Sequence, residues 1–260
     1  MRILSLVLGL SLVGCITGEI GSTGGGGGDD MGGGDGSGSG SGSGSQTAEP
    51  RVMITTDNPT VNTELGTTSM ITVNVDAANF TGPVNLTASV IDPATTTAIP
   101  GWTVTLANPT MNITADGITS VVATLTIPSQ NSGTLTGEVK IDATSSLGTA
   151  TTSSTVTALN QVTITVNANG AQCAYPTANT TVKVGTKVRF LNKTTDDLRI
   201  HSGGPIPHQG QAGAPAGQPA DAAVNGTYEV TVAGAGTASW YCHSPGPDNG
   251  GNNPQVIVVQ

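Results

Sequence analysis

Thr181-Val182-Lys183-Val184-Gly185-Thr186-Lys187-Val188-Arg189-Phe190 reads as a strand, a glycine turn and a second strand. Alternating apolar and polar residues on either side of one glycine are the mark of short, half-buried strands. The pattern continues outward in both directions. Val162-Thr163-Ile164-Thr165-Val166 is a strand upstream, and Tyr228–Val232, Ala238–Cys242 and Val256–Val259 are strands downstream.

Further upstream, Val84, Leu86, Ala88 and Val90 share one face of a period-2 run. So do Val121, Ala123, Leu125 and Ile127, and then Val139, Ile141 and Ala143. Pro93, Pro100-Gly101, Asn108-Pro109, Asp116-Gly117, Pro128 and Gly148 punctuate these runs. Thr, Val, Gly and Asn dominate, while Leu and Glu are scarce, which favours strands and turns over helices. The expectation is an all-β chain of two antiparallel β-sandwiches, one over residues 50–158 and one over 160–260. The first resembles bacterial Ig-like modules in its pattern. It has no cysteine and only Phe80 and Trp102 as aromatics, and it carries no cluster suggesting chemistry. A spacer or adhesive module is its reading.

The first 49 residues follow different rules. Met1-Arg2, an apolar run from Ile3 to Val13, and Gly14-Cys15 describe a secretory signal. The run is too short to span a membrane as a helix. Leu12-Val13-Gly14-Cys15 resembles the lipobox of bacterial lipoproteins, which implies cleavage after residue 14 and acylation of Cys15. The signal is therefore read as residues 1–15 and the partner as a lipid membrane, with the chain exported to the cell envelope, the outer membrane if the cell is Gram-negative. Residues 21–45 are almost wholly Gly, Ser and Asp, so 16–49 reads as a disordered linker. A coil of about 25 such residues reaches on the order of 25–30 Å, as a tether would. The run Gly24–Gly28 is not a phosphate loop, because no Lys-Ser/Thr follows it.

The net charge is −9 over 260 residues, and residues 161–260 carry five basic and five acidic side chains. No basic stripe exists, which argues against a nucleic-acid partner. No Gly-x-Ser-x-Gly elbow is present, and three histidines are too few for a multicopper oxidase. The chain is not read as an enzyme.

The chemistry-bearing residues gather late. His201, His208 and His243 are the chain's histidines, and Cys242 ends the stretch Trp240-Tyr241-Cys242-His243. Together with Tyr175-Pro176, Val184-Gly185-Thr186-Lys187-Val188-Arg189-Phe190-Leu191-Asn192 and Gly226-Thr227-Tyr228, these residues make 161–260 resemble the cupredoxin (blue-copper) family. That resemblance implies a Greek-key sandwich holding copper for one-electron transfer to a redox partner protein, or for copper holding. It implies His201 and Cys242 as ligands. A soft thiolate with two imidazoles in a trigonal array selects copper. The second imidazole falls to His243 or to His208. His243 adjoins Cys242 and can share its metal only if the strand breaks there. His208 sits in Gly203-Gly204-Pro205-Ile206-Pro207-His208, within a stretch without periodicity that reads as a long loop.

The sequence departs from the family at several points. Pro245 stands where a Cys-x-x-His pattern needs histidine, the last methionine is Met111, and His201 comes late after Asn192. Cys173 adds an alternative. With Cys15 set aside, Cys173 and Cys242 form an even pair in an oxidising compartment, where a disulfide is the default. A disulfide and a copper thiolate at Cys242 exclude each other. The two readings are therefore a copper protein using Cys242, and a metal-free surface adhesion or spacer protein stapled by Cys173–Cys242.

Overall fold

The computed structural model describes residues 18–21, 48–130, 132–170, 172–174, 178–206, 222–244 and 255–260. Among these, every regular element of four residues or more is a strand, and none is a helix able to cross a membrane.

The first sandwich runs through β1 (Gly18–Gly21), β2 (Arg51–Thr56), β3 (Thr60–Glu64), β4 (Thr68–Ala78), β5 (Gly82–Ile91), β6 (Thr103–Leu106), β7 (Thr110–Ile113), β8 (Gly117–Thr126), β9 (Thr136–Ser145) and β10 (Gly148–Leu159). Its sheets are ordered β1-β2-β4-β8-β6 and β3-β10-β9-β5-β7. Setting β1 aside, these orders place strands as in an immunoglobulin-like sandwich, with β3 pairing parallel to β10 and the other pairs antiparallel. β-Branched residues drive it. Ile71 and Val73 of β4 stand opposite Ala123 and Val121 of β8 in the ladder, and with Val75 and Leu125 on the same strands all are buried. Gly137 on β9 is required by a close approach. A Cβ there would lie 2.8 Å from Trp102 Cζ3 and 2.9 Å from Ile99 Cδ1.

The second sandwich uses β11 (Gln161–Asn169), β12 (Gln172–Ala174), β13 (Thr180–Lys183), β14 (Lys187–Lys193), β15 (Arg199–Ser202), β16 (Thr227–Thr231), β17 (Gly236–Ser244) and β18 (Gln255–Val259). Its sheets are ordered β12-β11-β14-β16 and β13-β18-β17-β15. The Gly185 turn, at φ 87°, separates β13 from β14 and sends them into different sheets. Each then pairs parallel with a distant strand, β13 with β18 and β14 with β11. The core between the sheets holds Val162, Ile164, Val166, Val188, Phe190, Trp240 and Val258.

One stretch of the expected linker forms a regular element. Gly18–Gly21, within the stretch read as linker 16–49, pairs with β2 as an edge strand. Cys15, the leader and linker residues 16–17 and 22–47 lie outside the described residues.

The sandwiches meet with a single residue, Asn160, between β10 and β11. Asn160 is tied down by three bonds. Its carbonyl accepts from the Lys187 amide at 3.0 Å, its Nδ2 donates to the Gly185 carbonyl at 3.1 Å, and Thr186 Oγ1 donates to its Oδ1 at 3.3 Å. Across the seam, Glu64 at the end of β3 reaches the second sandwich. Its Oε1 accepts from Arg189 Nη2 at 2.6 Å and from Gln161 Nε2 at 2.7 Å, and its Oε2 accepts from Thr163 Oγ1 at 2.5 Å. Arg189 Nε donates in turn to Thr163 Oγ1 at 2.9 Å. Planar guanidinium and carboxylate groups with every neighbour hydrogen-bonded make a stiff contact. Ser129 Oγ, donating to the Thr181 carbonyl at 2.6 Å, adds a second point of contact.

Glu64→Ala should therefore loosen the seam. We expect a loss of about 1–3 kcal/mol in denaturant unfolding and a broader distribution of interdomain distances in solution X-ray scattering. An unchanged scattering profile would show that the seam is held by other contacts.

Candidate functional site

Sequence chemistry points to the end of β17, and the site is built from that strand outward. Alternation along β17 puts Ala238, Trp240 and Cys242 on the buried face, at 1%, 1% and 0% exposure, while Tyr241 is half-buried between them. Trp240 meets Phe190 of β14 edge to face, with centroids 4.9 Å apart and planes at 70°. Phe190 stacks with Tyr228 of β16 at 6.2 Å. Three rings from three strands thus fill the space between the sheets beside Cys242.

In this structure Cys242 is bonded to Cys173, with the two Cα atoms 6.5 Å apart and a sequence separation of 69. Both cysteines are fully buried. Cys173 belongs to β12, at the edge of one sheet, and Cys242 to β17, inside the other. The bond therefore crosses the sandwich.

The histidines stand as follows. His201 occupies the position of β15 opposite Tyr241, whereas Cys242 is opposite Ile200. His201 and Cys242 are thus at alternate, not matching, positions of the ladder. His243 lies within β17, where the strand continues past Cys242 to Ser244. The register shifts there, since Arg199 pairs with Ser244 and Ile200 with Cys242, so His243 is the extra residue of a β-bulge. His208 lies outside the described residues. Leu198, Ile200 and Ile206, the described apolar residues of this region, are buried at 1%, 8% and 0% exposure. A copper ion needs the Cys242 thiolate, and in this structure that sulfur is bonded to Cys173 on an apolar face. The residues as arranged do not fit copper.

The strand pattern does not single out Asn192, yet it organises this end of the domain. It is fully buried at the end of β14, and all its side-chain hydrogen-bonding capacity is used. Nδ2 donates to the carbonyls of Asp196 and Ala222, each at 2.8 Å. Oδ1 accepts from the Thr194 amide at 2.9 Å and from Thr194 Oγ1 at 2.7 Å. Its backbone bonds Gly226 and Asn225. Leu198 and Ala222 then exchange two backbone bonds, at 2.8 and 2.9 Å, which fixes where β15 begins. The sequence clue is the turn chemistry of Asn192-Lys193-Thr194-Thr195-Asp196 directly after an apolar strand.

Elsewhere, an open cleft of about 330 Å³ lies at the seam, lined by Pro100, Gly101, Pro128, Ser129, Gln130, Ser132 and Lys183.

No family model and no curated protein matches the chain. Among solved structures it is similar to the periplasmic chaperone SfaE, at 9% identity over 79% of this chain and 98% of that one, with a TM-score of 0.28. It is also similar to tandem Ig domains of titin, at 12% identity over 79% and 95% of the two chains, with a TM-score of 0.24. A family 123 glycoside hydrolase from Clostridium perfringens is similar over 41% of this chain at 13% identity, with a TM-score of 0.30. This chain spans 26% of that enzyme. The fold description rests on the strand orders themselves.

Two outcomes test this geometry. Asn192→Asp keeps the shape but replaces two donors with acceptors facing carbonyls. It should cost about 2–4 kcal/mol in urea unfolding followed by Trp240 fluorescence, and a loss below about 0.5 kcal/mol would refute the role. Burial raises the Tyr228 phenol above its ordinary value of 10.0. Its neutral form is favoured in the folded state, so its contribution is complete below pH 10.0 and falls as the pH rises toward the folded value. Tyr228→Phe should flatten the alkaline decline in stability measured from pH 9 upward (on the order of one pH step per point).

Proposed function

We propose that this chain is an exported, lipid-anchored adhesion or spacer protein, with an Ig-like sandwich followed by a cupredoxin-like sandwich closed by a disulfide instead of a copper ion. The Cys173–Cys242 bond carries this reading. Copper and that bond compete for one sulfur, and only a free thiolate ligates. The strand orders β12-β11-β14-β16 and β13-β18-β17-β15, with Cys242 late in β17, support the cupredoxin likeness. The seam around Glu64 and Asn160 supports the spacer role, since a rigid pair of sandwiches projects whatever its far end bears. Leu12-Val13-Gly14-Cys15 supports the anchor. In the exported compartment this composition implies, a buried bond closing a long loop is stable.

A second reading keeps copper for the reduced protein. It is favoured by the placement of His243 in the bulge next to Cys242 and of His201 on the paired strand. Reduction would free the thiolate beside two imidazole-bearing positions. Its role would be copper holding or electron transfer with a redox partner.

One pair of measurements separates the two. Intact mass after alkylation of exported, unreduced protein should show Cys173 and Cys242 unmodified, and both modified after reduction. Alkylation of Cys242 without reductant would defeat the stapled reading. Adding Cu(II) to the reduced domain should give no intense thiolate-to-copper band in the visible, and such a band would favour the copper reading. Removing the bond with Cys173→Ser should cost about 4 kcal/mol by the chain-entropy estimate.

A further inference from the structure

Asn225-Gly226 is a dipeptide whose backbone nitrogen can attack the preceding side chain, because glycine puts no Cβ in the way. The fold demands both residues. Ala223 to Gly226 form a β-turn, closed by the Gly226 amide donating to the Ala223 carbonyl at 2.6 Å. Asn225 is the third residue of that turn, at φ 62°, where a type II turn takes Gly or Asn. Gly226 is fixed by crowding, since a Cβ there would lie 2.8 Å from the Ala223 carbonyl oxygen. The turn therefore keeps a reactive pair that other residues cannot replace without strain.

The same turn ties down both reacting groups. The nucleophile, the Gly226 nitrogen, is held by its bond to Ala223. The electrophile is the Asn225 carboxamide, whose Oδ1 accepts from Lys193 Nζ at 2.9 Å. Two backbone bonds clamp the pair to β14. The Asn225 amide donates to the Asn192 carbonyl at 2.9 Å, and the Asn192 amide donates to the Gly226 carbonyl at 3.0 Å. Asn225 is exposed, so solvent reaches it.

We propose that Asn225 is a self-modification site whose conversion is a one-way latch on this end of the second sandwich. When the turn opens, the Gly226 nitrogen gives its proton to solvent and attacks Asn225 Cγ. The N–Cγ bond forms, the Cγ–Nδ2 bond breaks and ammonia leaves, which closes a succinimide ring. Water then adds to one of the two ring carbonyls and breaks its bond to nitrogen. Attack at Cγ gives aspartate, and attack at the backbone carbonyl gives isoaspartate. Neither an oxidant nor a cofactor is needed. In isoaspartate the main chain runs through Cβ and Cγ, so the path between the Asn225 nitrogen and the Gly226 carbonyl is longer. The two bonds to Asn192 then no longer match in spacing. Asn192 also holds the carbonyls of Asp196 and Ala222, so the loss reaches the start of β15. Because the reaction needs an open turn, its rate follows the open fraction of this region.

The test uses the whole oxidised chain, held at mildly alkaline pH and digested at intervals. Peptide mass spectrometry reads the replacement of amide by acid, and enzymatic methylation marks isoaspartate. Conversion at Asn225 should be at least about tenfold slower in the folded chain than in urea. Equal rates overturn the gating. Asn192→Asp should speed Asn225 by about tenfold and leave Asn169-Gly170, in another turn of the same sandwich, unchanged. An unchanged Asn225 rate in that variant overturns the role of Asn192. If Asn169 also speeds up, the variant has unfolded, and wild type in sub-denaturing urea decides. There the Asn225 rate should rise in step with exchange of the Asn192 amide, and independent rates overturn the gating. The latch has its own readout. Amides of Asn192 and Asn225 should exchange at least about tenfold faster in purified isoaspartyl protein than in unconverted protein, and equal exchange overturns it.

Discussion

The bond between Cys173 and Cys242 joins the two sheets of the second sandwich covalently, and much of that sandwich follows from it. β12 is three residues long and sits at a sheet edge, held to β11 by three ladder pairs. The bond closes a loop with a sequence separation of 69, which in the chain-entropy model is worth about 4 kcal/mol. By holding Cys242 on the inner face, it fixes which residues of β17 point inward. Trp240 is then placed against Phe190, and Ile200 rather than His201 is aligned with Cys242. Because a strand alternates with a period of two, one inward anchor decides the face of every neighbour.

The seam between the sandwiches imposes the same discipline at larger scale. A linker of several residues would leave two domains free to swing. Here one residue joins β10 to β11, and that residue is hydrogen-bonded to the turn leading into β14. Glu64 gathers Arg189, Gln161 and Thr163 at the partly buried edge of the contact. An ion pair so screened from water and so fully bonded is worth more than a surface pair.

Much of the architecture was legible because strands with one buried face announce themselves. Val121, Ala123, Leu125 and Ile127 alternate in sequence and are all buried, and Gly185 marks a turn that needs a positive φ. Pairing was less legible. Nothing local says that β13 and β14, adjacent across a glycine, join different sheets, because partner choice depends on strands about 25 to 75 residues away. β1 was invisible for a related reason. Gly18-Glu19-Ile20-Gly21 has no strand pattern of its own, and it is placed by the edge of β2 and by β10. At the site, Cys173 and Cys242 were recognisable as a pair, but thiol chemistry alone leaves a bond and a ligand both open. The position of His243 in a bulge depended on ladder register, which no residue type encodes.

The staple also has a mechanical consequence. Tension across the second sandwich acts between β11 and β18. Parallel pairing with β13 loads that strand in shear, with all its hydrogen bonds resisting together. If the second sandwich yields, the segment between Cys173 and Cys242, at a sequence separation of 69, stays out of the line of tension. Roughly 230–250 Å of contour is withheld while the bond is intact. The redox state of one bond would thus set how far this protein can be stretched.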